Sequence, residues 1–211
     1  MGKKEIKGHL KTLLGNYKHA IGIWDDAIPH ELCDSMLEYF EKGESFESMT
    51  SGSKVRKHVR NSLEVNVTEN TAEVDAIYDI IGEACLQYLD NYKPFLKTFG
   101  ATNWEQLTVL KYPEGDGYYE WHTDSDTVGW KPPRILSVII YLNDVEEGGA
   151  TEFKFFDDIK VKPKKGRMAM FPSGWIHHHR GAKPIKGDKS ILVTWLQKMP
   201  MPEGVEITRA E

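Results

Sequence analysis

The sequence predicts an α+β chain with a mainly β core, in which the second half forms a sandwich or jelly-roll and the first half supplies helices. Three observations predict it. From Leu107 onward, short β-prone runs recur between turns rich in Gly and Pro, the pattern of packed antiparallel sheets. Before residue 100, apolar residues repeat at helical spacing. The 211 residues, 40% hydrophobic, suffice for one core. No apolar run approaches the roughly 18 residues of a membrane helix.

Each element has its own signal. Ala20 to Trp24 reads as a short strand. Pro29 is suited to open a helix, where its missing N–H costs nothing, and Leu32, Cys33, Met36, Leu37 and Phe40 then share one face. Asn70 with Glu73 has the spacing of a capping box, and Val74, Ile77, Ile81, Ala84, Tyr88 and Leu89 continue the apolar side of a second helix. Between the helices, residues 43–61 are rich in Ser and Gly and then basic at Lys54, Arg56, Lys57 and Arg60. With few apolar anchors, this stretch reads as a loop that either covers a substrate or is simply solvated.

The β half follows in order. Leu107 to Tyr112 is β-prone, Pro113-Glu114-Gly115-Asp116-Gly117 is a turn, and Tyr118-Tyr119-Glu120-Trp121 leads into His122. Then come Pro132-Pro133, the apolar run Ile135 to Leu142, the turn Glu146-Glu147-Gly148-Gly149 and the aromatic segment Phe153 to Phe156. Met168-Ala169-Met170-Phe171 and Ile191 to Leu196 complete the strands, and a polar tail starts at Met201-Pro202-Glu203-Gly204. There is no internal repeat and no low-complexity linker. The expectation is one domain over 1–211, with 1–100 as mainly helical support and substrate loop and 104–198 as the catalytic jelly-roll core.

Charge and termini narrow the function classes. A net charge of −5 exerts no global pull toward nucleic acid, and Lys3, Lys4, Lys7 and Lys11 make only a modest basic stretch. Met1-Gly2-Lys3-Lys4-Glu5-Ile6 is not followed by the apolar region of a signal peptide, and Ile6 does not fit a myristoylation site. Arg209-Ala210-Glu211 is no retention signal, and Cys33 and Cys85 read as small apolar residues inside helices. The expectation is a cytoplasmic protein with no nucleic-acid or membrane partner.

Chemistry concentrates at His122-Thr123-Asp124 and at Gly174-Trp175-Ile176-His177-His178-His179. An imidazole and a carboxylate two residues apart on a strand face one side, and a distant second imidazole completes a three-ligand face. Two neutral imidazoles and one carboxylate suit Fe(II) and leave the opposite face open for a co-substrate and dioxygen. One H-x-D among eight histidines also arises by chance, so the motif gains its weight from its position at a strand end. On a strand, His177 and His179 share a face and both remain candidates for the distal ligand, whereas His178 opposes them, toward solvent or the outer sheet.

Tyr112, Tyr119, His122, Asp124, Arg134, Tyr141-Leu142-Asn143, Gly148-Gly149-Ala150-Thr151, His179, Gly187-Asp188-Lys189 and Trp195 occur in a telling order. In that order and approximate spacing, the second half of the chain resembles the prolyl 4-hydroxylase-like Fe(II)- and 2-oxoglutarate-dependent dioxygenases, and the compact chain resembles their microbial or viral members. The resemblance implies a double-stranded β-helix, cupin-like, with N-terminal helices buttressing the major sheet. It selects His179 as distal ligand, ten residues ahead of Lys189, so that His122, Asp124 and His179 are the implied Fe(II) ligands and catalytic residues. It also implies 2-oxoglutarate and O2 as co-substrates, succinate and CO2 as products, and ascorbate as reductant.

Further roles follow from the resemblance. The C5 carboxylate of 2-oxoglutarate needs a cation inside the barrel, which Lys189 matches, with Tyr141 donating its hydroxyl to the same carboxylate and Tyr112 nearby. Tyr119, Arg134 and Trp195 fall where prolyl 4-hydroxylases surround the target proline, and Arg60-Asn61-Ser62 is similar to the Arg-Thr-Ser stretch of a substrate-covering loop, with Asn61 in place of Thr. A ring can stack on pyrrolidine, and a guanidinium can bind peptide carbonyls. The implied partner is a proline-containing protein or peptide. Rival readings are a dioxygenase acting on another side chain or a small molecule, a jelly-roll hydrolase or cupin-like oxidase without 2-oxoglutarate, and a non-catalytic metal-binding peptide module. Lys189 and Tyr141 speak against the hydrolase, and the intact triad speaks against the binding module.

Overall fold

The computed structural model describes residues 8–10, 13–50, 54–92, 102–125 and 133–199. Lys3, Lys4, Lys7 and Lys11, Pro132 and the tail from Met201 lie outside the described residues. A hairpin of β1 (Asn16–Lys18) and β2 (Ile21–Trp24) precedes α1 (His30–Lys42). Short strands β3 (Phe46–Glu47), β4 (Met49–Thr50), β5 (Lys54–Val55), β6 (Arg60–Asn61) and β7 (Leu63–Asn66) lead to α2 (Ala72–Asn91). Then follow β8 (Thr102–Trp104), β9 (Thr108–Tyr112), β10 (Tyr118–His122), β11 (Arg134–Tyr141), β12 (Glu147–Gly148), β13 (Thr151–Phe153) and β14 (Lys160–Val161). Last come β15 (Met168–Pro172), a 3-10 turn at Trp175–His177, β16 (His179–Gly181), β17 (Pro184–Lys186) and β18 (Lys189–Lys198).

Among the described residues, the larger sheet runs β1-β2-β15-β11-β18-β9-β7-β3, with β8 also on β18, and the smaller runs β14-β13-β16-β10-β6. From β9 to β18 the chain alternates between the two sheets, which is the winding of a double-stranded β-helix. Period-2 alternation divides the larger sheet into two buried faces. Val109, Leu136, Val138, Ile140, Met168, Met170, Leu192 and Leu196 pack with the helices. Leu110, Tyr112, Ile139, Tyr141, Ala169, Phe171, Ile191 and Val193 face inward with Phe153 and Val161 of the smaller sheet. Burial on both faces explains why Ile135 to Leu142 reads as a continuous apolar run.

The helices bury the faces expected of them. In α1 these are Leu32, Cys33, Met36 and Phe40, with Leu37 packed at the edge. In α2, Val74, Ile77, Ile81, Ala84, Tyr88 and Leu89 are joined by Ala76, Ile80 and Cys85. Each Val, Leu, Ile, Met or Phe side chain among them contributes about 1.5–3 kcal/mol when withdrawn from water. Both cysteines are buried free thiols. Among the described residues, no helix is long and apolar enough to cross a membrane.

Several boundaries differ from the sequence reading. Thr71, not Asn70, caps α2: its extended backbone aims Oγ1 at the Val74 N–H, 3.3 Å away, so the box at Asn70 and Glu73 gives way to a cap one residue later. Ala20 leaves the strand because His19 and Ala20 take left-handed φ values of 51° and 58°, making the two-residue turn between β1 and β2. The aromatic segment stops pairing after Phe153 and turns. Where described, half of residues 43–61 is strand: β3 joins the larger sheet through β7, β4 pairs β5, and β6 joins the smaller sheet through β10.

Replacing Thr71 with Ala should lower unfolding stability by about 1 kcal/mol in urea titrations, while Asn70→Ala should cost less than about 0.5 kcal/mol. The opposite order would return the cap to Asn70.

Candidate active site

The antiparallel register sets His122 of β10 opposite His179 of β16, so pairing alone brings two imidazoles together. An irregularity between Tyr119 and His122 interrupts the ladder there, as bulges next to sites do. Asp124 follows just beyond the strand. Its Oδ1 lies 3.5 Å from His122 Nε2 and its Oδ2 lies 3.7 Å from His179 Nε2. One ligand atom from each of the three residues lies within 4.8 Å of the others.

Hydrogen bonds fix both tautomers. His122 Nδ1–H donates to Glu120 O at 2.7 Å, and His179 Nδ1–H donates to His177 O at 3.0 Å. A carbonyl only accepts, so each ring carries its proton on Nδ1 and turns a bare Nε2 toward the carboxylate. Burial, followed by the neighbouring His122 ring, pushes His179 down to about 4, which keeps it a neutral donor at neutral pH. Burial alone would raise Asp124, but attraction to the His179 and His122 rings, which acts when those rings take up a second proton on Nε2, outweighs it and holds the carboxyl well below its ordinary value. Ser137 Oγ donates to Asp124 Oδ2 at 2.7 Å and shares a further bond with Ser173 Oγ at 2.9 Å.

The structure separates the three adjacent histidines for a reason that strand periodicity did not contain. Trp175–His177 is a 3-10 turn, so the strand begins only at His179. His177 turns away from the triad and donates Nε2–H to His19 O at 2.8 Å. His178 is half-buried beside the Trp121 ring, 6.2 Å between centroids.

Lys189 is 2% exposed, and its Nζ donates to Gly149 O at 3.2 Å and lies 4.3 Å from the centre of the Tyr112 ring. Among the described residues no carboxylate pairs with it. Burial, then the Arg60 charge, push this amine down to about 7. Space beside it is kept open by Gly181, where an added Cβ would come within 3.3 Å of Nζ. Lys189, Tyr112, Thr151, Gly181 and Arg60 line the same cleft as His122, Asp124 and His179. A buried cation without a counter-charge beside a two-imidazole, one-carboxylate face fits an anionic co-substrate that reaches a metal. The donor set itself suits Fe(II).

The remaining sequence-predicted residues are placed unevenly. Tyr119 stacks on His122 with centroids 3.5 Å apart, and the Arg60 guanidinium lies 4.8 Å from its ring centre. Burial pushes the Tyr119 hydroxyl up to about 12. Arg60 is brought in by the β6–β10 pairing, where it sits opposite Tyr119. It also donates to Ser62 Oγ at 3.0 Å and Met49 O at 3.3 Å. The Tyr141 hydroxyl is engaged with Thr151 Oγ1 at 2.7 Å and Val161 O at 3.2 Å, so Thr151 stands between it and the cleft. Arg134 commits Nε and Nη2 to Glu105, at 2.6 and 2.7 Å, and its guanidinium lies over Trp195, 3.6 Å from the ring centre. Trp195 lines the cleft, and its buried indole N–H is turned toward Asp124, whose carboxyl it helps to hold low.

Ser137 and Glu105 are contributors that sequence reasoning missed, and Thr151 stood there only as part of a motif, without a role. A lone serine inside the apolar run Ile135 to Leu142 is the signal for Ser137, and the glycine pair before Thr151 marks a close approach of backbone. Glu105 carries no signal in the sequence, because its partner lies 29 residues away.

Residues 107–197 match a domain family described as "2OG-Fe(II) oxygenase superfamily", and His122, Asp124, His179 and Lys189 all lie within the matched segment. It is 29% identical over 182 residues to a putative prolyl 4-hydroxylase of Acanthamoeba polyphaga mimivirus, covering 79% of this chain and 69% of that protein. It is also 29% identical over 123 residues to probable prolyl 4-hydroxylase 9 of Arabidopsis thaliana, covering 47% of this chain and 43% of that one, so it spans less than half the plant protein. Among solved structures, the viral collagen prolyl hydroxylase of Paramecium Bursaria Chlorella virus-1, in complex with 2OG, superposes with a TM-score of 0.64 at 25% identity. That match covers 85% of this chain and 97% of the viral one.

Two predictions follow from the site. Ser137→Ala should weaken Mn(II) binding about 10- to 100-fold, read by titration, because it releases the metal-facing carboxylate. For Lys189, the folded amine titrates near 7 and the unfolded one near 10.5, so the free protein gains stability as pH rises through that window. An incoming carboxylate restores the proton. Binding of 2-oxoglutarate at pH 8 should therefore take up a proton, seen as calorimetric heats that vary with buffer ionisation enthalpy, and Lys189→Met should remove the uptake along with most of the affinity.

Proposed function

We propose that the protein is an Fe(II)- and 2-oxoglutarate-dependent dioxygenase that hydroxylates a proline within a protein or peptide and forms succinate and CO2. The observation that carries the reading is the unpaired, buried Lys189 in the same cleft as the His122, Asp124 and His179 face. The names of the plant and viral relatives support proline as target, and the viral collagen enzyme supports a peptide chain as its carrier.

His122, Asp124 and His179 would hold Fe(II), which when bound supplies dioxygen activation coupled to oxidative decarboxylation of 2-oxoglutarate. The chain's own residues supply placement. Lys189 neutralises the far carboxylate of the co-substrate, with Tyr112 flanking it and Thr151 offering a hydroxyl that Tyr141 holds from behind. Tyr119 and Trp195 wall the substrate side, where flat rings can face a pyrrolidine. Arg134 acts through Trp195, keeping the indole in one orientation, and Arg60 fixes Tyr119 from above. Confinement of one C–H bond in this cleft, with water kept out, is what sets the product.

The reading extends to organisation and setting. Residues 104–198 form the catalytic jelly-roll, 1–100 supply helical support and the β3–β6 rim beside Arg60, and both work as one domain over 1–211. The free thiols of Cys33 and Cys85 fit a reducing, cytoplasmic setting, and ascorbate would serve as reductant.

The test is oxygen-dependent conversion of 2-oxoglutarate to succinate by the Fe(II)-loaded protein with ascorbate, with and without proline-containing peptides, reading peptide mass in parallel. Peptide-stimulated succinate with one added oxygen on proline is the expected result. Succinate without peptide oxidation would remove proline as substrate, and no succinate under any condition would overturn the dioxygenase reading.

A further inference from the structure

We infer that His177 is a positioning residue for the metal centre, tying the carbonyl that orients His179 to the turn between β1 and β2. This rests on the reading of His122, Asp124 and His179 as the metal face. Both imidazoles of that face depend on the same device, an Nδ1–H bond to the carbonyl two residues earlier. For His122 that carbonyl belongs to Glu120 inside β10, where Glu120 N–H bonds Val59 O at 2.8 Å and the strand holds it. For His179 it belongs to His177, inside a 3-10 turn whose other two residues, Trp175 and Ile176, are 73% and 40% exposed.

The turn is anchored by the ring of His177, itself only 4% exposed. The imidazole sits among Phe153, Phe156 and Phe171, with centroids 6.4, 5.4 and 6.4 Å away. Its Nε2–H reaches His19 O at 2.8 Å. The His19 carbonyl is itself fixed: His19 and Ala20 hold left-handed conformations that residues with a Cβ rarely adopt, the His19 ring stacks on Phe156 at 4.6 Å, and its Nε2 lies 3.7 Å from Asp158. Strain of this kind persists where the surroundings over-determine it.

Packing alone does not account for a histidine here. Among the described residues its buried Nδ1 has no partner, so an apolar ring of similar size would fill the space without stranding an acceptor. What only the imidazole provides is the Nε2–H bond. The line therefore runs from the His19 carbonyl to the His177 ring, through the His177 carbonyl to the His179 Nδ1–H, and leaves His179 Nε2 facing Asp124.

The experiment is a Co(II) titration of the metal-free full-length protein, followed by visible absorption, with thermal melting recorded for each variant. His177→Phe keeps the packing and loses the donor; it should bind Co(II) about 10- to 100-fold more weakly at an unchanged or higher melting temperature. His177→Gln, whose amide can donate to His19 O, should recover most of the affinity. Wild-type affinity in His177→Phe would overturn the inference, as would an affinity loss that only parallels a loss of melting temperature. Should the wild type not bind Co(II), or His179→Ala bind it equally well, the metal reading itself would fall and this inference with it. If His177→Phe does not fold, 15N spectra of the wild-type histidines decide: His177 protonated on Nε2 and slow to exchange supports the inference, and a proton on Nδ1 overturns it.

Discussion

Strand β18 buries both of its faces, with Leu192 and Leu196 against the helices and Lys189, Ile191, Val193 and Trp195 lining the cleft. The alternation is a backbone constraint, since a slip of one residue would drive Lys189 into the helix-packed layer and carry Leu192 into the cleft. The same division runs through β9, β11 and β15, so the apolar residues that hold α1 and α2 also fix the register of the inward-facing ones. Site geometry is therefore a by-product of core packing on the opposite face. Outside the strands it depends on the segment carrying Asp124, the turns at Gly149 and before His179, and the β1–β2 turn that meets His177.

Electrostatics in the cleft run against stability. Asp124 accepts a hydrogen bond from the Ser137 hydroxyl, whereas Lys189 has only a carbonyl and an aromatic face, with Arg60 adding positive charge nearby. Removing one partner from a buried pair is strongly destabilising, and leaving a cation unpaired from the outset has the same origin. Such an arrangement persists where an anion completes it. The cleft is thus divided by chemistry: a metal-facing anionic side at Asp124 and a cationic end at Lys189, with the aromatic walls Tyr112, Tyr119 and Trp195 between and beside them.

Much of this was legible in the chain because the signals are local. Helical faces, the H-x-D pair and the β-prone runs each depend on residues close in sequence, and the resemblance supplied the choice of His179. Departures arise where a distant partner decides. Arg134 has its fork occupied by Glu105, and Tyr141 reaches the cleft only through Thr151. His177 is separated from His179 by a 3-10 turn that strand periodicity cannot represent, and its bonding partner His19 lies 158 residues away. The Thr71 cap was missed for a subtler reason, because adjacent Asn and Thr are both good caps and only the backbone at 71 selects one.

The central claim is that one anion spans the metal face and Lys189. Calorimetric titration of 2-oxoglutarate into the Mn(II)-loaded and metal-free protein tests it most directly. The account predicts tight binding with metal and a loss of at least about tenfold without it, equivalent to roughly 1.4 kcal/mol or more. Succinate, which lacks the 2-oxo group, should show a much smaller dependence on metal. Equal affinity for 2-oxoglutarate with and without Mn(II) would contradict the account, because Lys189 would then hold an anion that never reaches the triad.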